Sequence, residues 1–339
     1  MTLRTRVHPA ARALLAVVVG AVASGCGLPV RDNGGEPLSP RPAVHAAAVG
    51  GIVDRYVQVS NAASAGRNIT LLRSAEMGAS LAIDIAIYRA DRALDPSDRT
   101  RAKPITYQQE ASFVPRLAGY PRWFAIQAKP SYPRANSALL VFVQRRATEP
   151  WLQSALIDLG AANAMPKLAY DGHGNAIAVP VDEKADLLAA PSAVAAAHAG
   201  YLTSGDRPDS GPRLAADPWT TELIDAARTD AKQFSFARVS NRYQPTNQLM
   251  YAFQTADGGA VVVYAMKRSF DAELGSGSSV WRLAGMFGAL AGTDALRTRT
   301  LHVEWRYQWL VQVPPAGDES AEVRVIGRSG GLTEVSRSD

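Results

Sequence analysis

The spacing of apolar residues predicts two helices at the start of the region that follows residue 45. Over residues 46–59 the apolar positions fall mainly on one side at a spacing of 3.6 residues, which is typical of an amphipathic helix. Asn68 is placed to cap a second, short helix that includes Leu71 and Leu72. Residues 77–94 fit two structures, because their apolar positions alternate as in a strand while the lack of a polar face also fits a buried helix.

Strands are predicted after these helices. Runs of apolar and β-branched residues separated by proline-bearing loops indicate four antiparallel neighbours at residues 105–114, 123–128, 138–145 and 151–159. The sequence Asp-Gly-His-Gly-Asn at residues 171–175 lies between two short apolar segments and predicts a hairpin turn.

The order of helices and then strands is predicted to occur a second time. Ser192 is a candidate cap for a helix over residues 192–202, and Asp217-Pro218 is a typical cap and first-turn proline for a helix over residues 219–231. Residues 280–290 are apolar and predict a helix crossing the sheet. Strands are expected at residues 234–241, 249–255, 260–267, 300–313 and 322–327. The pattern predicts an α+β protein with two domains, residues 46–185 and 186–335, each with helices packed on one face of an antiparallel sheet.

The first 45 residues predict export and anchoring. A basic start is followed by an apolar run over residues 13–23, which is too short to span a bilayer, so residues 1–25 are predicted to be a secretory signal. Cys26, the single cysteine, follows small residues at the end of the run and resembles the lipobox of bacterial lipoproteins, although Ala23 stands where many lipoboxes have Leu. The resemblance implies acylation of Cys26 and a lipid-anchored protein on the extracytoplasmic face of the cell membrane. Residues 26–45 are predicted to be a flexible, proline-rich tether.

Composition limits the class of protein. Of the 339 residues, 47% are apolar and 20% are charged, as in a globular protein. Cleavage of the signal removes three arginines and no acids, which lowers the net charge from +5 to +2. The remaining charges are interspersed, so no nucleic-acid partner is expected. With no cysteine after Cys26, the mature chain cannot form disulfides within itself.

Several segments of the chain resemble a family of actinobacterial exported lipoproteins of unknown function. The residues that carry the resemblance lie in the first two helices, at two strand openings and in the long strand near residue 300: Tyr56, Asn61, Ala62, Leu71, Leu72, residues 121–124, residues 149–151, residues 189–191 and residues 300–314. The resemblance covers about residues 45–335. It implies two NTF2-like (cystatin-like) domains, in which helices are wrapped by a curved sheet, and it implies no activity.

One face of the strand over residues 301–313 is a candidate pocket. Trp305, Tyr307 and Trp309 share that face, while His302 and Gln308 belong to the opposite one. The three rings either form a core face beneath the helices or line the floor of a ligand pocket. We expect Trp305, near the middle of the strand, to be in the core, and Trp309 to fit either role.

Asp84 is the other candidate, because it lies within an apolar run with Tyr88 four residues later. The two side chains would share a face in either a strand or a helix. A carboxylate inside an NTF2-like cone can have a raised pKa and act as a general base, but a hydrogen-bonded acid at the edge of an element gives the same pattern.

No catalytic motif, cofactor motif or metal-ligand spacing is found, so no catalytic residue, cofactor or metal is predicted. Three hypotheses therefore remain: a non-enzymatic binding or interaction module of the cell envelope, a small-molecule enzyme using Asp84 with Tyr88, and an accessory subunit of an envelope assembly. The expected partners are the lipid bilayer, through the acyl group on Cys26, and an envelope protein or a small ligand.

Overall fold

The computed structural model describes residues 39–97, 103–132, 136–160, 165–207, 209–318 and 320–338. Ser39–Asp339 form one compact unit. The predicted signal, Cys26 and most of the predicted tether lie outside the described residues. The last tether residues are part of the fold, because β1 (Arg41–Pro42) pairs with β3 (Arg116–Leu117) and the next two side chains are buried.

The first half of the unit has three helices followed by a meander of strands. The helices are α1 (Ala46–Ala65), α2 (Ile69–Leu72) and α3 (Gly78–Leu94). The strands that follow are β2 (Tyr107–Phe113), β4 (Arg122–Pro130), β5 (Ser137–Gln144) and β6 (Leu152–Leu159). The segment that fitted either a strand or a buried helix is therefore the helix α3.

The second half repeats this order with longer strands. Its helices are α4 (Pro191–Ser204), α5 (Pro218–Gln233) and the short α6 (Met286–Ala291). Its strands are β7 (Ala237–Pro245), β8 (Tyr251–Gln254), β9 (Ala260–Leu274), β10 (Ser279–Arg282), β11 (Ala295–Thr298), β12 (Thr300–Val313) and β13 (Arg324–Ser338).

One antiparallel sheet runs through both halves in the order β2-β4-β5-β6-β13-β12-β9-β7, with β8 pairing to β9. The two halves of the sheet join where β6 meets β13 at the residue pair Leu159 and Gly327. A side chain at Gly327 would lie 2.9 Å from Ile157, so glycine allows this close approach. The α+β class is confirmed, and the division at residue 185 into two NTF2-like domains stays a prediction.

Local sequence explains where some of the helices begin. The Asn68 side chain accepts a hydrogen bond from the Leu71 amide at 3.0 Å, and the Asp217 side chain accepts one from the Thr220 amide at 2.9 Å. Both predicted caps are confirmed. The predicted cap at Ser192 is wrong, because α4 begins one residue earlier with Pro191 in its first turn and Ala190 as the cap.

The predicted helix over residues 280–290 is also wrong. Its first residues form β10, which pairs with β11 and turns Trp281 inward, and only Met286–Ala291 are helical. A short apolar run fits a strand and a helix equally well by composition, and here the pairing partner, residues 295–298, decides between them.

The helix α3 lies where the two halves of the sheet meet. It packs against β6 of the first half and against β12 and β13 of the second half. On the same side of the sheet, α1 covers β4 and β5, and its buried residues pack with Phe124 and Phe142. The space between α1, α3 and the sheet is the site described next.

Candidate functional site

A cavity of about 480 Å³ lies at the junction of the two halves. Its wall is built from α1, the turn before α3, α3 itself and the strands β2, β6, β12 and β13, with α5 at one side. Three of the α1 residues that reach it, Tyr56, Ser60 and Ser64, are four residues apart and therefore share one face of the helix. Ser80 and Asp84 of α3 have the same spacing and the same relation to the cavity.

Glu76 is the most deeply buried acid of the cavity, with 2% of its surface exposed. The backbone holds it there, because Gln153 bonds to the residues on both sides: the Met77 amide donates to Gln153 O at 3.0 Å, and the Gln153 amide donates to Ala75 O at 2.8 Å. Glu76 Oε1 accepts a long hydrogen bond from the Tyr56 hydroxyl at 3.5 Å. The Glu76 carboxyl group also shares a side-chain hydrogen bond with the carboxyl group of Asp84.

Asp84 and Glu76 affect each other's protonation. Burial raises the pKa of Glu76 well above its ordinary value, and the negative charge of Asp84 raises that pKa further. Burial also raises the pKa of Asp84, to about 6. The two neighbouring carboxyl groups therefore hold a proton more readily than separate carboxyl groups would, with burial as the main cause.

Two glutamine side chains near this pair differ in how they are bonded. Gln308 is fully engaged, since its Oε1 accepts from the Leu156 amide at 2.6 Å and its Nε2 donates to Ser80 Oγ at 3.1 Å. The Gln153 side chain is 1% exposed, and neither its Oε1 nor its Nε2 has a partner among the described residues. A buried amide with unmade hydrogen bonds costs folding free energy, and this one lies in the wall of the cavity.

A third acid, Asp158 of β6, lies on the wall near the β6–β13 junction. The Tyr132 hydroxyl donates to Asp158 Oδ1 at 2.5 Å, and the Asp158 amide donates to Ser329 Oγ at 2.9 Å. Burial raises the pKa of Asp158, and the hydrogen bonds from Tyr132 and Ser329 oppose this effect. Asp158 is thus a carboxyl group whose position is fixed by its neighbours.

The side of the cavity formed by the second half is aromatic and contains one arginine. Tyr307 projects from β12, and its ring fits against Gly330 of β13, where an added side chain would overlap it. Arg328 lies 5.4 Å from the Trp219 ring centre and donates to Trp219 O at 2.8 Å. Its guanidinium group is also 3.6 Å from Glu222, so its charge is already matched by an acid.

The structure brings together two of the five predicted pocket residues. Asp84 and Tyr307 line the cavity. Tyr88 shares a face of α3 with Asp84, as predicted, but its hydroxyl bonds to Ser64 Oγ at 2.7 Å and it packs with Leu72 instead of facing the cavity.

The two tryptophans of β12 also lie away from the cavity. Trp309 is fully buried, and its ring centre is 4.6 Å from that of His198. Trp305 is half-buried, with the Arg268 guanidinium 4.5 Å from its ring centre. Trp305, which was expected in the core, packs against the core while staying half-buried, and Trp309, for which both roles were open, is the more deeply buried of the two. The strand is most deeply buried near Trp309, where α4 covers it, and not at its middle.

Sequence reasoning missed the residues that give the cavity its chemistry. Glu76, Gln153 and Asp158 lie outside any motif, and the hydrogen-bond partners Tyr56, Tyr132 and Ser329 of the two acids lie 20 to 171 residues away in the chain. The available signal was a polar residue between apolar neighbours, as in Ala75-Glu76-Met77 and Leu156-Ile157-Asp158-Leu159. This pattern also occurs at many solvated strand edges, so it does not single out a site.

Two further features of the described residues bear on the site. The described residues contain no group of three or more His, Cys, Asp or Glu side chains placed to hold a metal ion. Within the same ranges, no helix is both long and apolar enough to cross a bilayer.

Known proteins similar to this chain are bacterial lipoproteins. One uncharacterized lipoprotein of Streptomyces coelicolor is 27% identical over 234 residues, which cover 66% of this chain and 64% of the relative, so the match spans less than two thirds of that relative. A second from the same organism is 28% identical over 323 residues, or 94% of this chain and 92% of the relative. One from Streptomyces avermitilis is 27% identical over 259 residues, or 76% of this chain and 75% of the relative. No solved structure matches the chain.

The family assignment rests on almost the whole described region. A family model described as Domain of unknown function (DUF8094) matches residues 40–337. The predicted resemblance to an actinobacterial lipoprotein family of unknown function is confirmed by this match and by the Streptomyces relatives. The chain belongs to the DUF8094 family.

Proposed function

We propose that this protein is a lipid-anchored binding module of the cell envelope that holds a small molecule in the cavity between α1, α3 and the sheet. One observation carries the proposal. The cavity is of ligand size, within the range of about 300–1,000 Å³ typical of small-molecule sites, and its wall contains buried polar atoms that the described chain does not pair.

The unpaired atoms support a ligand more strongly than the volume does. Both polar atoms of the Gln153 side chain lack a partner among the described residues, and this side chain is 99% buried. Leaving a buried polar group without a partner costs about 1–3 kcal/mol. A molecule that enters the cavity and bonds to these two atoms would remove this cost.

The anchor is the second part of the proposal. The relatives are named as lipoproteins, and Cys26 follows a predicted secretory signal, so we propose diacylation of Cys26 and location on the extracytoplasmic face of the membrane. Labelled palmitate should enter the wild type and be absent from Cys26→Ser. Equal incorporation into both proteins would contradict the anchor.

We further propose that each half of the unit is an NTF2-like domain, with the boundary at residues 185 and 186. The repeated order of helices before an antiparallel meander supports this division. The cavity would then lie where the two domains share their sheet.

Binding can be tested with a variant that fills the cavity. Ser60 lies on the cavity face of α1, so Ser60→Trp places an indole ring in the open space. Compounds from a fragment library that raise the melting temperature of the wild type should lose this effect in the variant. Ala65→Trp at the end of α1 is the matched control, since Ala65 is exposed. Hits that stabilise Ser60→Trp and wild type equally would contradict binding in this cavity.

A second candidate function is acid–base catalysis in the same cavity. It is favoured by the raised pKa of Asp84, about 6, because a general base works best near the ambient pH, and the pKa of the neighbouring Glu76 is also raised. Tyr88 would take no part, since its hydroxyl is bonded to Ser64. Turnover of a bound compound that is lost in Asp84→Asn, while binding is kept, would favour catalysis over binding alone.

A further inference from the structure

We propose that the ligand of this cavity carries a protonated amine, and that its ammonium group lies between Asp84, Glu76 and the Gln153 side chain. The inference rests on the proposed function, because it names the chemical class of the molecule that the cavity binds.

The distribution of charge in the cavity is the first argument. Three carboxyl groups reach its wall, those of Glu76, Asp84 and Asp158. The cationic side chain on the wall, Arg328, donates to a backbone oxygen and lies 3.6 Å from Glu222. An entering anion would therefore meet carboxyl groups and a cation that is already paired, whereas an entering cation would meet an excess of acids.

An unpaired acceptor beside Asp84 and Glu76 is the second argument. Gln153 Oε1 has no partner among the described residues, and it lies where β6 meets the turn before α3 that carries Glu76. An ammonium group has three donors and no acceptor, so it can bond to Gln153 Oε1 and to the Asp84 carboxylate together. Bonds between an ionised donor and a carboxylate are among the stronger hydrogen bonds in proteins.

The aromatic rings beside the acids are the third argument. Tyr56 and Tyr107 lie on the wall next to this pair, with ring centres 6.3 Å apart and planes inclined at 38°. Faces of tyrosine rings attract cations, and they also give an apolar surface to the carbon atoms next to the amine.

Binding of an ammonium ligand should depend on the protonation of Asp84 and Glu76, and therefore on pH. The groups that face Asp84 are Glu76 from the preceding turn, Tyr56 from α1, Tyr107 from β2 and Tyr88 on the same helix. The tyrosine hydroxyls stay neutral near pH 7, because burial raises the pKa of each above its ordinary value. Asp84 therefore gains its charge as pH rises through about 6, and an ammonium ligand should bind more tightly above this pH than below it.

Three compounds of one shape and different charge test the inference. Tyramine, tyrosol and 4-hydroxyphenylacetate share a phenol ring and a short chain, and end in an ammonium, a hydroxyl and a carboxylate group. Dissociation constants would be measured by equilibrium dialysis against the full chain in detergent at pH 7.5. We expect tyramine to bind at least ten-fold more tightly than tyrosol, and 4-hydroxyphenylacetate to bind most weakly.

The outcomes of this experiment separate the ammonium inference from the proposed binding function. Tyrosol binding as tightly as tyramine would overturn the ammonium inference and leave the proposed binding cavity intact. Binding by none of the three would count against the proposed function as well. Binding that Ser60→Trp leaves unchanged would place the compounds outside the cavity and overturn the inference.

Two acid-to-amide variants complete the test. Asp84→Asn should remove most of the preference for tyramine over tyrosol. It should also remove the increase in tyramine affinity between pH 5 and pH 7.5. Asp225→Asn, which alters an exposed acid of α5 paired with Arg228, should keep both. An unchanged preference in a folded Asp84→Asn protein would overturn the inference.

Discussion

At the scale of single residues, the carboxyl pair of Glu76 and Asp84 couples stability to pH. The folded chain raises the pKa of Asp84 to about 6, whereas an unfolded aspartate titrates near 4. Between these values the folded state holds a proton that the unfolded chain has lost, so the free energy of unfolding falls as pH rises through this window. The contribution of the protonated Asp84 is full below pH of about 4 and is lost above about 6.

Asp84→Asn should therefore stabilise the protein at pH 7.5, by about 1–2 kcal/mol, because the amide has no proton to lose. Its advantage over the wild type should shrink as the pH falls towards 4. Urea unfolding at several pH values measures both effects. Asp225→Asn at the exposed position should change stability by less than about 0.5 kcal/mol, and an Asp84→Asn protein less stable than wild type at pH 7.5 would contradict the burial of this charge.

The tryptophans of β12 give a second prediction at this scale. Trp309 is fully buried and Trp305 is half-buried, so Trp309→Ala should cost about 3–5 kcal/mol and Trp305→Ala clearly less. Trp309→Phe is the control, because it keeps much of the ring volume and removes an indole N–H that has no partner among the described residues. Equal losses of unfolding free energy in the two alanine variants would show that the burial is wrongly assigned.

At the scale of elements, the glycines of β13 shape the cavity. A side chain at Gly330 would overlap the Tyr307 ring and lie 2.8 Å from Arg306 O, and one at Gly331 would lie 2.9 Å from Ile83 of α3. Small residues here allow α3 and the ring of Tyr307 to approach the strand. The cavity therefore depends on β13 as much as on the helices.

Gly330→Ala should lower the free energy of unfolding by about 1–3 kcal/mol, since Tyr307 must leave its position. It should also weaken any ligand that binds in the cavity. Gly275→Ala serves as the control, because no atom lies within 4 Å of the added carbon. A melting temperature as little changed in Gly330→Ala as in Gly275→Ala would contradict the close packing of Tyr307 on β13.

Elements were predictable where one local signal decided them. The caps at Asn68 and Asp217 are properties of a few neighbouring residues, and the structure has them as predicted. The predicted alternation along β12 holds near its two ends, whereas residues 307–311 are buried on both faces. The helix predicted over residues 280–290 was wrong because β10 is defined by its pairing with residues 295–298. For β13, the sequence predicted a strand over residues 322–327. In the structure β13 pairs with β12 as far as Ser338, through a stretch that contains two adjacent glycines.

At the scale of the whole molecule, the order of helices and strands was predictable and the cavity was not. The α+β class and the membership of a lipoprotein family follow from features spread along the chain. The cavity combines α1 and α3 with β6, β12 and β13, so its polar residues come from segments as far apart as Glu76 and Arg328. Asp84 was found because an acid inside an apolar run is visible in the local sequence. Glu76 and Gln153 become candidates only when the fold brings their two segments together.

The central claim is that a small molecule binds in this cavity, and fluorine NMR of the chain labelled with 3-fluorotyrosine tests it most directly. Tyr56, Tyr107, Tyr132 and Tyr307 line the cavity, while Tyr120 and Tyr170 are exposed elsewhere and report non-specific contact. Tyr→Phe variants would assign each signal, and tyramine or a fragment hit would be titrated. The account predicts saturable shifts in the signals of Tyr56, Tyr107 and Tyr307, with those of Tyr120 and Tyr170 unchanged. Saturable shifts confined to Tyr120, Tyr170 or other tyrosines outside the cavity would contradict it.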